Sequence, residues 1–288
     1  MARSTTFIIL ILLAVGVVLW VTISLTSERS RKEQIMHAES ERPSAHPIAS
    51  LDMVIVYDNN PHREDLEPAW GFACLVRGSE KTILFDTGGD GSILLANMKE
   101  LGIDPDEIEV VVLSHIHEDH TGGLRALLDE KSGMTVYSLA SFPRRFKADV
   151  ETRGASIVEL DRHAKICENV YSTGELGTRV KEQALIMHTA RGLIVMTGCA
   201  HPGIVHVVER AKDLIGEDVL LVIGGFHLGP ASSAEIEGIV ASMRELGVRY
   251  IAPCHCSGDA ARELFHDEYE ENYIEVGVGS IITMEDLS

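Results

Sequence analysis

The stretch Val110-Val111-Val112-Leu113-Ser114-His115-Ile116-His117-Glu118-Asp119-His120-Thr121-Gly122-Gly123-Leu124 decides how this chain is read. Its first four residues form an apolar, β-branched run of the kind that fills a buried strand. The hexad that follows packs His115, His117, Asp119 and His120 into six positions, and the glycines after it lead into a helical pattern from Leu124. On a strand-to-helix loop, His115 and His117 can point to one ion while Asp119 and His120 point to a second. Imidazole and carboxylate donors suit zinc, with manganese and iron as alternatives, and an ion with an open position makes bound water a nucleophile at neutral pH. A lone surface histidine carries no such meaning, whereas four ligand-type side chains at this spacing after an apolar strand do.

The same design recurs on both sides of the hexad. A strand over 82–85 ends in Asp86-Thr87-Gly88-Gly89, which places Asp86 either to hydrogen-bond a ligating histidine or to cap a helix. The apolar run Gly192–Thr197 ends in Gly198-Cys199-Ala200-His201-Pro202-Gly203, and His201 is the next candidate ligand. The run at 219–223 leads to Gly224-Gly225-Phe226-His227-Leu228, and that at 250–252 to Pro253-Cys254-His255-Cys256-Ser257-Gly258. Three histidines on successive strand-to-helix loops extend the metal reading. Cys254 and Cys256 flank His255 at one-residue spacing, unlike the two-residue spacing of zinc ribbons, and read as packing residues or as partners of the ligands.

Around these motifs, β-branched runs near 53–57, 72–77, 82–85, 109–113, 134–138, 156–160, 184–188, 193–197, 219–223, 250–252 and 281–283 alternate with helical periodicity near 92–101, 124–130, 204–215, 233–246 and 259–265. That alternation predicts an α/β domain with its chemistry on the loops. Segment 142–171 resists assignment. Its Arg144, Arg145 and Lys147 read as solvated charge or as a patch for an anionic substrate group.

Composition narrows the functional classes. The 288 residues carry a formal net charge of −19, which argues against nucleic-acid binding, since tracking phosphates needs a positive field. The five cysteines are odd in number and do not form a disulfide framework. Residues 7–25, FIILILLAVGVVLWVTISL, form an uncharged run close to the ~20 residues that cross a bilayer as a helix. We expect a single-pass N-terminal anchor over 1–26, a polar linker over 27–50 and one catalytic domain over 51–288; a cleaved signal peptide is the alternative. Arg29, Arg31 and Lys32 beyond the span place the domain on the cytoplasmic side by the positive-inside rule, with the outside orientation as the other option.

Eight segments in order, GFACLV (71–76), TILFDTG (82–88), VVLSHIHEDHTGGL (111–124), GELG (174–177), EQALI (182–186), GLIVMTGCAHPGI (192–204), GGFHL (224–228) and APCHCSG (252–258), resemble the metallo-β-lactamase superfamily. More narrowly they look like its branch of dihydropterin-ribofuranosylaminobenzene-phosphate synthases. The resemblance implies an αββα sandwich with two divalent metal ions at one edge of the sheets. It implies that His115, His117 and His201 hold one ion and that Asp119, His120 and His255 hold the other. This chain departs from the pattern at the bridging ligand: most members offer an aspartate after the strand ending in Thr-Gly, and here Cys199 stands there. Either Cys199 or His201 approaches both ions, or His227 completes the set, or one of the two positions is poorly held.

The expected function is that of a membrane-anchored metal-dependent hydrolase, in which a metal-bound hydroxide oriented by Asp119 attacks an ester- or phosphoester-like small molecule, phosphorylated substrates included. A transferase of the synthase type, releasing diphosphate, is the alternative. A non-enzymatic metal-binding or sensory module is a third, and the glycines around each ligand loop argue against it by predicting an accessible site.

Overall fold

The computed structural model describes residues 46–288; the predicted anchor and most of the predicted linker lie outside them. Among the described residues no helix is long and apolar enough to cross a membrane. The chain forms β1 (Asp52–Asp58), β2 (Phe72–Arg77), β3 (Ile83–Phe85), α1 (Gly91–Glu100), β4 (Val110–Val112), α2 (Glu118–Thr121), α3 (Leu124–Glu130), β5 (Thr135–Leu139), α4 (Arg144–Thr152) and β6 (Ser156–Leu160). It continues through β7 (Ala164–Cys167), β8 (Val170–Ser172), β9 (Leu185–Thr189), β10 (Gly192–Thr197), α5 (Ile204–Ile215), β11 (Val219–Gly225), α6 (Ser233–Glu245), β12 (Tyr250–Cys254), α7 (Asp259–Tyr269) and β13 (Ile281–Thr283).

These strands make a seven-stranded sheet ordered β13-β1-β2-β3-β4-β5-β6 and a six-stranded sheet ordered β12-β11-β10-β9-β8-β7. The strands that carry the site are parallel: β3 to β6 in the first sheet, and β10 to β12 in the second. Parallel pairing sends their carboxyl ends, and the loops that follow, to a common edge of each sheet.

Side-chain alternation explains the four layers. Val54, Val56, Leu84 and Val111 pack with Leu94 and Met98 of α1 and Leu124, Leu127 and Leu128 of α3. Met53, Ile55, Ile83, Phe85 and Val112 between them point the other way, yet they too are fully buried. The second sheet behaves alike: Ile186, Leu193, Val195 and Val222 pack against α5, α6 and α7, while Met187, Ile194 and Met196 are buried on the opposite face. Sheets covered on both faces require near-continuous apolar strands, which is what the sequence supplies. Each such side chain contributes about 1.5–3 kcal/mol of burial.

Two differences from the sequence reading stand out. Segment 142–171, in which the sequence predicts only the strand over 156–160, holds α4, β7 and the start of β8 besides that strand, β6. Within it the Arg144, Arg145 and Lys147 group splits: the arginines are exposed, while Lys147 is buried, with Nζ 2.6 Å from Glu159 and 3.0 Å from the Ala140 carbonyl. A lysine committed to an internal carboxylate does not serve a substrate patch. At the other end, Ile48, placed in the linker from sequence, donates its N–H to His188 O at 3.0 Å.

One buried side chain ties the sheets together beside the site. Gln183 donates its backbone N–H to Ser114 O at 2.9 Å and its amide to Leu113 O at 2.8 Å, and it accepts a hydrogen bond from the Ser172 hydroxyl. Leu113 and Ser114 follow β4 of one sheet, while Gln183 and Ser172 belong to the other. Gln183→Leu keeps the volume and orphans the Leu113 carbonyl and the Ser172 donor. We expect it to lower unfolding free energy by roughly 1–3 kcal/mol per orphaned group, measured as a reduced urea midpoint at unchanged slope; an unaltered midpoint would refute the bridging role.

Candidate metal centre

The ligand-type residues sit on loops that strain their backbones. Asp86, Ala200, His227 and His255 all have positive φ, between 49° and 58°, and they are four of the six non-glycine residues with positive φ among those described. Such conformations cost energy and persist where surrounding contacts over-determine them. The loops after β3, β4, β10, β11 and β12 thereby bring their side chains to one place.

His115, His117 and His201 form the first group. His115 Nε2 lies 3.0 Å from His117 Nδ1, and the His201 ring stands edge-on to both, with centroids 4.7 and 4.9 Å away. His115 Nδ1 contacts Ser114 Oγ at 2.9 Å, and that hydroxyl donates to Asp86 Oδ2 at 2.6 Å. His201 Nδ1 is 2.8 Å from Glu182 Oε2. Both contacts place the proton on Nδ1 and leave Nε2 as the donor toward the centre.

Asp119, His120, His255 and Cys199 form the second group. Asp119 Oδ2 is 3.6 Å from His120 Nε2 and 3.4 Å from His255 Nε2, and Cys199 Sγ is 3.2 Å from His120 Nε2. His120 Nδ1 is held by Asp86 Oδ2 at 2.7 Å, and His255 Nδ1 by Asn59 Oδ1 at 2.8 Å. The buried Nε2 of His255 has no well-formed hydrogen bond. An imidazole nitrogen desolvated and left without a partner, facing a carboxylate, a thiol and a second imidazole, fits a divalent cation of the zinc type.

Electrostatics point the same way. Burial pushes His115 and His120 down to about 3, so both rings stay neutral and keep a lone pair. Half-burial would raise the Asp119 carboxyl, but the His255 and His120 rings hold it well below the usual carboxylate range. Burial drives Asp86 up to about 7 against the His115 ring and the Ser114 donors. Glu182, equally buried, goes down to about 2, because its contact with His201 and the backbone N–H donors overcome desolvation.

His227 occupies a third place. Its ring lies tilted against His201 with centroids 4.5 Å apart, and it groups with Cys199 and Cys256, whose sulfurs are 3.2 Å apart. Pairing with Cys199 lowers the Cys256 thiol, and the same pairing raises that of Cys199. A cleft of about 540 Å³ opens beside them, lined by Gly177, Arg179, His201, His206 and His227.

Thus the structure brings together His115, His117, Asp119, His120, His201 and His255, sets Cys199 among the second group and leaves His227 at the rim of the first. Asp86 contacts His120 directly and His115 through Ser114; the N-cap of α1 is Asp90 instead. Four residues escaped the sequence reading. Glu182 accepts the backbone N–H groups of Cys199, Ala200 and His201 at 2.8, 2.8 and 2.9 Å and so fastens the whole loop. Asn59, with its neighbour Asp58, anchors His255, and Trp70 lies at its ring, centroids 4.8 Å apart, while 60% exposed. The EQALI segment signalled Glu182; nothing local to 58–70 signalled the others.

An αββα sandwich that gathers histidine, carboxylate and thiol donors at one edge of its sheets defines a metal-dependent, hydrolase-like domain. A profile of the metallo-β-lactamase superfamily matches residues 71–215. The chain is 30% identical to the 7,8-dihydropterin-6-methyl-4-(β-D-ribofuranosyl)-aminobenzene-5'-phosphate synthase of Methanocaldococcus jannaschii, covering 71% of this chain and 85% of that protein. Among solved structures it resembles Tm1679, described as a metal-dependent hydrolase of the β-lactamase superfamily, at 28% identity and TM-score 0.70, over 81% of this chain and 98% of that one. It also shares the fold of YhfI from Bacillus subtilis, at 16% identity and TM-score 0.61, over 82% of this chain and 99% of that one. The chain belongs to the metallo-β-lactamase superfamily.

Two predictions follow from this geometry. Glu182→Gln keeps the shape but removes the charge that holds three N–H groups and His201, and we expect metal affinity to fall by about 10–100-fold with far-ultraviolet circular dichroism unchanged; calorimetric zinc titration reads it, and wild-type affinity would exclude the fastening role. The metal-free protein is expected to lose stability as pH falls from 6.5 toward about 3, because the unfolded chain protonates His115 and His120 at 6.5 while the fold resists until about 3. Asp86 acts in the opposite sense between about 7 and 3.8, taking a proton in the fold first and offsetting one of the two histidines. Melting temperature against pH tests the net sign; a flat profile across that window would contradict it.

Proposed function

We propose that this chain is a metal-dependent hydrolase acting on an ester- or phosphoester-like small molecule, with one ion held by His115, His117 and His201 and a second by Asp119, His120, His255 and Cys199. The observation that carries the reading is the locking of four rings: His115, His120, His201 and His255 each commit Nδ1 to a partner and turn Nε2 to the centre. Divalent ions there, zinc first among them, would supply Lewis acidity and a water of lowered pKa.

The chain's own groups divide the remaining work. Asp119, half-buried and held ionised by the rings of His255 and His120, is placed to orient the attacking water. Arg179 and His206, on the cleft wall beside His201, offer cationic and hydrogen-bonding groups to an anionic part of the substrate. Trp70 gives a flat apolar surface at the opposite side, against His255. Buried Asp86 and Glu182 hold the histidines so that little reorganisation accompanies the reaction.

The 30% identity to the synthase favours a second reading, a transferase that joins two substrates with loss of diphosphate. In that case ions at the centre would neutralise the departing diphosphate, and Asp119 would serve as a ligand alone. We also propose that residues 7–25 tether the domain to a membrane; full-length protein should then stay with the carbonate-washed membrane fraction, and its release into the wash would count against the tether.

The test uses the full-length chain reconstituted with zinc, manganese or iron and a panel of phosphoesters, thioesters and lactones. Chelation should abolish turnover, metal should restore it, and His115→Ala and Asp119→Asn should each reduce kcat by at least about a hundredfold while the fold is retained. Near-wild-type turnover by both variants on a validated substrate would sink the assignment. Diphosphate release that depends on a second, pterin-type substrate would select the transferase.

A further inference from the structure

Cys199 and Cys256 lie on different loops, after β10 and β12, yet their sulfurs stand 3.2 Å apart. Both side chains are buried, and all five cysteines of the chain are free. The approach is built into the sequence at Gly225, where a Cβ would fall 2.7 Å from Cys256 Sγ and 2.3 Å from Gly198 O. Cys199 belongs to two donor groups at once, one with Asp119, His120 and His255 and one with His227 and Cys256. Whatever engages it on the Cys256 side removes it from the other. His227, with a ring nitrogen within 4.8 Å of both sulfurs, is exposed and lines the open cleft, so the cleft comes within one side chain of them.

We propose that Cys199 and Cys256 are a redox-modification site: a small peroxide converts them to a reversible disulfide that withdraws Cys199 from the second donor group and weakens the ion held there. Closing the gap to a bond of about 2.05 Å needs a sulfur shift of about 1 Å. One sulfur attacks a peroxide oxygen, the O–O bond breaks and the leaving hydroxide takes a proton to become water. The sulfenic acid so formed is attacked at sulfur by the second thiol, the S–O bond breaks and a second water departs. The thiols supply two electrons, hydrogen peroxide accepts them, and a dithiol reductant reverses the change by exchange. The effect on the ion rests on the two-ion reading above; the disulfide does not.

Full-length protein, metal-free and zinc-loaded, is treated with one equivalent of hydrogen peroxide. In the metal-free sample we expect two of the five thiols to disappear, a peptide map joining Cys199 to Cys256, and full recovery with dithiothreitol. The oxidised protein should bind its second zinc at least about tenfold more weakly than the reduced protein, with the first zinc unaffected. Zinc-loaded protein should resist the oxidation, and Cys199→Ala and Cys256→Ala should each fail to form an intramolecular bond. Persistence of all thiols, oxygen additions on separate cysteines, a different cysteine pairing, or a disulfide that leaves zinc affinity unchanged would overturn the proposal. Reduced protein that takes up no zinc would sink the two-ion reading and the release step while leaving the disulfide standing.

Discussion

A carboxylate removed from water has to be repaid in hydrogen bonds, and at Asp86 that requirement fixes the edge of the first sheet. The side chain is fully buried and takes Ser114 N–H and Oγ–H at 2.6 Å each and His120 Nδ1 at 2.7 Å. An isolated buried anion would cost several kcal/mol, so the loops after β3 and β4 are bound to the geometry that supplies these donors. Parallel pairing of Phe85 with Val112 sets the register that makes it possible. The second sheet reaches the same point because residue 198 is glycine: a Cβ there would lie 2.1 Å from Ser114 Oγ and 2.8 Å from Asp86 Oδ2.

Glu182 plays the matching part for the second sheet, with the opposite outcome for its charge. Three backbone N–H donors and His201 keep it ionised to about 2, whereas burial raises Asp86 to about 7. One carboxylate is a permanent anion beside the first histidine group, and the other can adjust its proton to the charge at the centre. On the two-ion proposal, four positive charges would enter a region walled by apolar strands, and Asp119, Glu182 and Cys199 would balance part of that charge without solvent. The histidines His115 and His120 stay neutral by burial, against the nearby carboxylates Asp86, Asp119 and Glu182, which favour the protonated rings.

The sequence made the loops legible and left their supports hidden. Ligand-type residues could be found because each follows an apolar run whose strand character is plain, and the run both predicts the loop and fixes its direction. Their division into His115, His117 and His201 on one side and Asp119, His120 and His255 on the other matches the spatial grouping. Cys199 and His201, rivals for the bridging position in the sequence, fall in different groups of donor atoms. What escaped were contacts made across long stretches of chain: Asn59 to His255 spans 196 residues and Glu182 to Cys199 crosses a hairpin, and neither has a local pattern. Strands β7 and β8 were missed because they are short, and α4 because its first turn is basic and carries no apolar stripe that stands out from solvated charge.

The surroundings of the centre are unequal on its two sides, and that inequality bears on what the site accepts. Toward the second group the wall is Trp70, broad, apolar and largely exposed against His255. Toward the first it is polar, with Arg179 and His206 near His201 and His227. An exposed tryptophan loses hydration favourably when a flat apolar group covers it. On the hydrolase proposal, a substrate with a flat apolar portion and an anionic one would satisfy both sides. Hydrolysis and transfer make the same demand on that geometry and differ in whether water or a second substrate occupies the remaining position.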